Sequence, residues 1–142
     1  HLSDCKAALL NSKLGKEYFS SEEKAHHALR EGINNGEIYA AIDQGSVCLG
    51  FIWIILEGAF HSFPYVHMIA VQEEFRGNGI GKNLFSFFEK LAFPAYSKAF
   101  LVVADFNPEA MRLYEQLGYK KVGEIPDLYK AGVTEYLMMK KA

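Results

Sequence analysis

The chain has 142 residues, half of them hydrophobic, with fifteen basic and seventeen acidic side chains and a formal net charge of -2. That length and composition suit one substantial core, so residues 1–142 read as a single soluble α/β domain. The charge balance argues against nucleic acid or an anionic membrane as partner, and no apolar run approaches the roughly 20 residues that cross a bilayer. No secretory leader is visible, and Cys5 and Cys48 lack metal-ligand or disulfide-framework spacing, as expected of reduced thiols in a cytoplasmic protein. With His1 first, the sequence reads as trimmed at its start.

In chain order, Ser3 to about Phe19 and Ser21 to about Asn34 are helical by pattern, the second opening on Ser21 and the acidic pair Glu22-Glu23. Ile38 to Ile42 and Val47 to Leu56 are apolar and rich in β-branched residues, and Asp43-Gln44-Gly45-Ser46 between them reads as a hairpin turn. A strand over Tyr65 to Val71 follows.

The run Arg76-Gly77-Asn78-Gly79-Ile80-Gly81 stands between that strand and an amphipathic helix on which Ile80, Leu84, Phe87, Phe88 and Leu91 recur at helical spacing. Pro94 marks the end of this helix. Glycines here let the backbone turn sharply and present N–H groups at a helix start, which is a geometry for binding phosphate. A Walker loop is excluded because Gly81-Lys82 is followed by Asn83 and its first glycine position holds Arg76. The dinucleotide pattern fails because its third glycine position holds Lys82. What remains is Arg-x-x-Gly-x-Gly.

Ala99 to Ala104 is a continuous apolar run, as in a strand covered on both faces, and strand-helix-strand order predicts a parallel pair with a right-handed crossover. Asn107 then suits an N-cap, Pro108 the first helical position and Gly118 a left-handed C-terminal cap. Ala110, Leu113, Tyr114 and Leu117 fall on one stripe, so Tyr114 points inward. Lys120 to Glu124 and Thr134 to Lys140 complete a mixed sheet.

The glycine run after a strand resembles the acetyl-CoA loop of the GNAT superfamily of N-acetyltransferases, Gln/Arg-x-x-Gly-x-Gly/Ala. The segment from Asn107 to Tyr119 resembles that family's second signature, Asn-x-x-Ala-x-x-x-Tyr with a Leu-Gly-Phe/Tyr exit. The resemblance runs from about Ile38 to Met139. It implies a mixed, centrally splayed β-sheet flanked by helices, with acetyl-CoA as co-substrate and no metal. A strand usually precedes the first helix in the family; none is read here, so the N-terminal edge strand is expected to be missing.

Residue by residue, the resemblance implies backbone contacts to the pantetheine arm from Ile69, Ala70 and Val71. It implies a pyrophosphate held on the N–H groups of Arg76, Gly77, Asn78, Gly79, Ile80, Gly81 and Lys82, with the Arg76 and Lys82 side chains adding charge. Asn107 would face the cofactor as well as cap its helix. The expected chemistry is direct attack of a primary amine on the thioester, because neither cysteine belongs to a motif or neighbours a base. An ammonium with a reference pKa near 10.4 for lysine, or 7.7–8.0 for an α-amine, must lose a proton first. His67 is the leading base, since an unperturbed histidine near 6.5 is mostly neutral at pH 7. Glu57 and His61 are reserves, and Val102 stands where a glutamate is often found in the protein-acetylating branch. Tyr114 would serve the leaving thiolate.

The expected acceptor is a small-molecule amine, with the N-terminus or a lysine of a protein as the alternative. Phe51, Trp53, Phe60, Phe63, Tyr65, Tyr129 and Tyr136 are aromatic candidates for an amine pocket or for the core. An acyl-CoA sensor without turnover is the alternative of another class, and the family admits homodimers.

Overall fold

The computed structural model describes residues 2–19 and 21–142, so the reading of His1 as a trimmed start lies outside the described residues. The elements run α1 (Leu2–Leu10), α2 (Lys13–Tyr18), α3 (Glu22–Asn34), β1 (Ile38–Ile42), β2 (Cys48–Ala59) and β3 (Phe63–Val71). After a short 3-10 turn at Glu73–Phe75 come α4 (Ile80–Ala92), β4 (Lys98–Ala104), α5 (Pro108–Gln116), β5 (Lys120–Pro126) and β6 (Thr134–Lys141). The strands form one six-stranded sheet in the order β1-β2-β3-β4-β6-β5. The β3/β4 pair is parallel, as its helical crossover requires, while β1/β2, β4/β6 and β5/β6 are antiparallel. Among the described residues β1 is the first strand of the chain, and α1 precedes it with no earlier strand.

The chain divides into two compact units, His1–Ile54 with Met68–Glu89, and Ile55–His67 with Lys90–Ala142. In the first, α1 buries Cys5, Ala8 and Leu9, and α3 buries Ala25, Leu29 and Gly32, each set at helical spacing. Ser21 caps α3 by accepting from Lys24 N at 3.2 Å. Gly32 is required by contact: a Cβ there would stand 2.7 Å from the Trp53 ring. The hairpin predicted at Asp43 to Ser46 is present, with Asp43 Oδ1 accepting from both Gly45 N and Val47 N at 2.9 Å.

The single helix expected over Ser3 to Phe19 is two. Ser12 breaks it, donating from Oγ to Leu9 O at 2.6 Å and accepting from Gly15 N at 2.9 Å, so the hydroxyl caps α2 instead of continuing α1. Gly15 passes so near Leu9 O that a Cβ would stand 1.7 Å from it.

In the second unit β4 pairs along its whole length with β6, from Lys98↔Lys141 to Ala104↔Glu135. The β3/β4 ladder consists of Tyr65↔Phe100 and Val66↔Leu101. Ala99, Leu101, Val103 and Met138 are at most 5 % exposed and share one face of this part of the sheet by alternation. Helix α5 ends as the sequence predicts: Gly118 takes φ +98, Gly118 N donates to Glu115 O and Tyr119 N to Tyr114 O, both at 3.0 Å. That pair of bonds is a Schellman cap.

Candidate active site

In the first unit the candidate cofactor strand and loop are anchored before the glycines begin. Gln72 at the end of β3 donates from its backbone to Leu49 O at 2.8 Å and from Nε2 to Cys48 O at 2.7 Å. Gly50 lets β2 come close: a Cβ there would stand 2.6 Å from Ala70 O and 2.9 Å from Val71 Cα. Ala70 is buried, while Ile69 and Val71 are half-buried.

Arg76 follows the 3-10 turn in extended conformation, with φ -65 and ψ 151. Its guanidinium donates through Nε to Val71 O and through Nη2 to Asn11 O, each at 3.1 Å. Asn78 Nδ2 donates to Phe75 O at 3.1 Å. The loop is therefore fixed by its own side chains.

Gly77 and Gly79 adopt φ +83 and +79, which glycine tolerates without penalty. Among the described residues no protein acceptor takes the N–H of Gly77, Asn78 or Gly79, and the first backbone N–H to find one is Asn83, on Gly79 O at 3.0 Å. The first-turn N–H groups of Ile80, Gly81 and Lys82 add the open donors of a helix start. Nothing lies within 4 Å of where a Cβ on Gly77 or Gly79 would stand. Open space, a row of donors and the positive end of α4 together fit a pyrophosphate. Lys82 is exposed on the first turn of α4.

In the second unit, Asn107 caps α5 with Oδ1 accepting from Ala110 N at 3.4 Å, so its Nδ2 remains the atom suited to a ligand. Tyr114 is buried, and burial pushes its phenol up to about 12. His67 is half-buried, its ring 6.0 Å from that of Tyr65. Glu57 is exposed on β2, and His61 is exposed in the β2–β3 turn.

The aromatic candidates separate. Phe51 and Trp53 are core residues, at 0 % and 5 % exposure. Tyr136 lies under Lys121 Nζ, 4.4 Å from its ring centre. Phe60 and Phe63 instead meet Phe100, with ring centres 5.5 and 5.6 Å away. Tyr65 Oη meets Tyr129 Oη at 3.2 Å. Burial, then the Tyr129 hydrogen bond, raises the Tyr65 phenol. Sequence reasoning missed Glu135, a carboxylate with 2 % of its surface exposed. The available signal was one acid alternating with Leu137 and Met139 along β6.

Among the described residues no group of three or more His, Cys, Asp or Glu has a metal-binding arrangement, and no helix is long and apolar enough to cross a membrane.

A model of the GNAT acetyltransferase family matches residues 8–119, and the chain belongs to that family. It is 33% identical over 115 residues to an uncharacterized protein of Mycobacterium leprae, covering 80% of this chain and 32% of that protein. To the N-alpha-acetyltransferase RimI of Mycobacterium tuberculosis it is 31% identical over 102 residues, covering 70% of this chain and 63% of RimI. The chain thus spans less than two thirds of the length of either relative.

Among solved structures, a Pyrococcus horikoshii protein superposes with TM-score 0.79 at 23% identity, covering 99% of this chain and 90% of that one. An aminoglycoside 6'-N-acetyltransferase complexed with coenzyme A gives TM-score 0.75 at 23% identity, with coverage of 99% and 89%. These likenesses establish the fold, a mixed sheet flanked by helices.

Proposed function

We propose that this chain acts as one acetyltransferase domain that moves an acetyl group from acetyl-CoA to a primary amine. The observation that carries the reading is the open row of N–H donors from Gly77 through Gly79, continued by the first turn of α4. The coenzyme A named for the aminoglycoside enzyme of the same fold supports it.

In this reading the backbone of Ile69, Ala70 and Val71 lies along the pantetheine arm, and the N–H groups of residues 76–82 hold the pyrophosphate. Arg76 is already committed to two carbonyls, so its part is chiefly to shape the loop, while Lys82 adds charge from the helix start. Asn107 caps α5 through Oδ1 and offers Nδ2 to the cofactor.

Bound acetyl-CoA supplies the acyl group as an activated thioester. His67 accepts a proton from the ammonium, the resulting amine forms the C–N bond as the C–S bond breaks, and the acylated nitrogen releases its surplus proton to solvent. Tyr114 donates a hydrogen bond to the sulfur as its charge develops. A thiol has a reference pKa near 8.5, so full proton transfer from a phenol at about 12 is uphill by roughly 5 kcal/mol. Tyr114 therefore acts as a hydrogen-bond donor, and the thiolate takes its proton from solvent.

The acceptor is an amine, and similarity to an N-alpha-acetyltransferase brings a polypeptide N-terminus alongside small amines. Calorimetric titration of acetyl-CoA into the wild type and Gly79→Glu tests the cofactor reading. Binding lost in the variant, with circular dichroism unchanged, supports it, and no binding to the wild type overturns it.

A further inference from the structure

The sheet of the second unit has two unlike faces. On one, Ala99, Leu101, Val103 and Met138 are at most 5 % exposed, whereas on the other Tyr65, His67, Val102, Leu137 and Met139 are half-buried around the buried Phe100, Ala104 and Glu135. Register places these together, through Tyr65↔Phe100, Phe100↔Met139, Val102↔Leu137 and Ala104↔Glu135. The half-buried face thus carries the Phe60, Phe63 and Phe100 rings, the Tyr65–Tyr129 hydroxyl pair and the buried Glu135.

Charge on this face is polarised. Glu135 stands at the Ala104 end, and its field reaches the Tyr65 phenol. Lys98, in register with Lys141, stands at the other end and sits 5.2 Å over the Phe63 ring. Lys120, opposite Met139, adds a third cation there. A long polycation would meet the lysines.

The turn that carries Phe60 is strained. Phe60 and His61 take φ +57 and +55, and Ser62 N donates to Ala59 O at 3.0 Å. Such turns favour Asn-Gly, and an L-residue in the left-handed region costs on the order of 1–2 kcal/mol. The chain nonetheless keeps a phenylalanine here, 68 % exposed to water. Strain combined with an exposed ring marks a position kept for contact rather than stability.

We infer that this face recognises the acceptor, and that the acceptor is a primary amine with an aromatic or similarly large apolar group beside its ammonium. The apolar group packs on Phe60, Phe63 and Phe100. The ammonium faces the Tyr65–Tyr129 hydroxyls. This rests on the acetyltransferase reading above and narrows its substrate. The same chemistry occurs in a free arylalkylamine and in the first residue of a peptide beginning with phenylalanine.

The test measures coenzyme A release at saturating acetyl-CoA with phenethylamine, a peptide beginning with phenylalanine, spermidine and kanamycin. Phenethylamine or the peptide is expected to exceed both polycations at least tenfold in kcat/KM, and the preferred one identifies the source. Phe60→Gly is expected to lower that kcat/KM about tenfold while Tm stays equal or rises and acetyl-CoA affinity is unchanged. A preference for spermidine or kanamycin, transfer to none of the four, or unaltered kinetics in Phe60→Gly would overturn the inference while acetyl-CoA binding upholds the broader reading. Absence of acetyl-CoA binding to the wild type would overturn both.

Discussion

The guanidinium of Arg76 donates through Nε to the carbonyl of Val71, 3.1 Å away, tying the glycine loop back to the strand it leaves. Its second bond reaches Asn11 O at the break between α1 and α2. A residue with this job is replaced poorly by another cation, because lysine keeps the charge but not the fork of donors. Arg76→Lys and Arg76→Met are expected to lose acetyl-CoA affinity alike, by about tenfold, corresponding to roughly 1.4 kcal/mol. Wild-type affinity in the lysine variant would mean that charge, and not the brace, matters.

Gly50 offers a steric route to the same strand. An alanine methyl would press on Ala70 O and Val71 Cα, both backbone atoms that have nowhere to yield. Overpacking of this kind costs about 1–3 kcal/mol, which lowers Tm by several degrees for a chain of this size. Gly50→Ala should therefore melt earlier in differential scanning calorimetry and show a raised KM for acetyl-CoA.

Asn107 separates cap from ligand contact. Asn107→Ser keeps an oxygen that accepts from Ala110 N but removes Nδ2. Its Tm should stay within about 2 °C of wild type, whereas Asn107→Ala loses about 1 kcal/mol. If Nδ2 meets the cofactor, both variants weaken acetyl-CoA binding in calorimetry. Wild-type affinity in the serine variant would reduce Asn107 to a cap.

Tyr114 links turnover to alkaline stability. Tyr114→Phe should lower kcat about 100-fold with acetyl-CoA affinity nearly unchanged; equal kcat would remove the phenol from the chemistry. Burial raises the folded-state pKa to about 12, above the ordinary value of 10.0. The folded state thus holds this proton more tightly than the unfolded one. Its contribution is complete below pH 10 and is lost as pH rises through about 12, a span worth at most about 3 kcal/mol. The raised Tyr65 phenol acts in the same direction. Urea denaturation between pH 8 and 11 should show the wild type losing stability faster than Tyr114→Phe.

Most strands and the cap of α5 were legible because local rules governed them. Asn107, Pro108 and Gly118 each stand where capping chemistry puts them, and Asp43-Gln44-Gly45-Ser46 turns as its composition predicts. The break at Ser12 was not legible from periodicity although it is local, because it turns on the Ser12 hydroxyl capping α2 and on Gly15 passing close to Leu9 O. Strand β2 runs to Ala59 rather than Leu56, and Gly58 within it is so enclosed that an added Cβ would stand 2.9 Å from Ile55 Cβ and 3.0 Å from Tyr65 Cβ. The glycine loop was readable from its motif, but the use of Arg76 as a brace was not, because the carbonyl it finds on Asn11 lies 65 residues away in sequence. Likewise, the grouping of Phe60, Phe63 and Tyr65 apart from Phe51 and Trp53 depends on which strands pair.

A nine-residue helix ordinarily frays at its ends, and Tyr114 sits in the last turn of one. The bond from Tyr119 N to Tyr114 O closes that turn onto the start of β5. Opening the turn must break this bond, so the Tyr119 amide reports on the backbone that carries the phenol. Slow hydrogen exchange at this single amide, followed with and without acetyl-CoA, would give the free energy of local opening directly. One backbone proton, outside the proposed chemistry, thus becomes a gauge of how firmly the last turn of α5 holds the Tyr114 phenol.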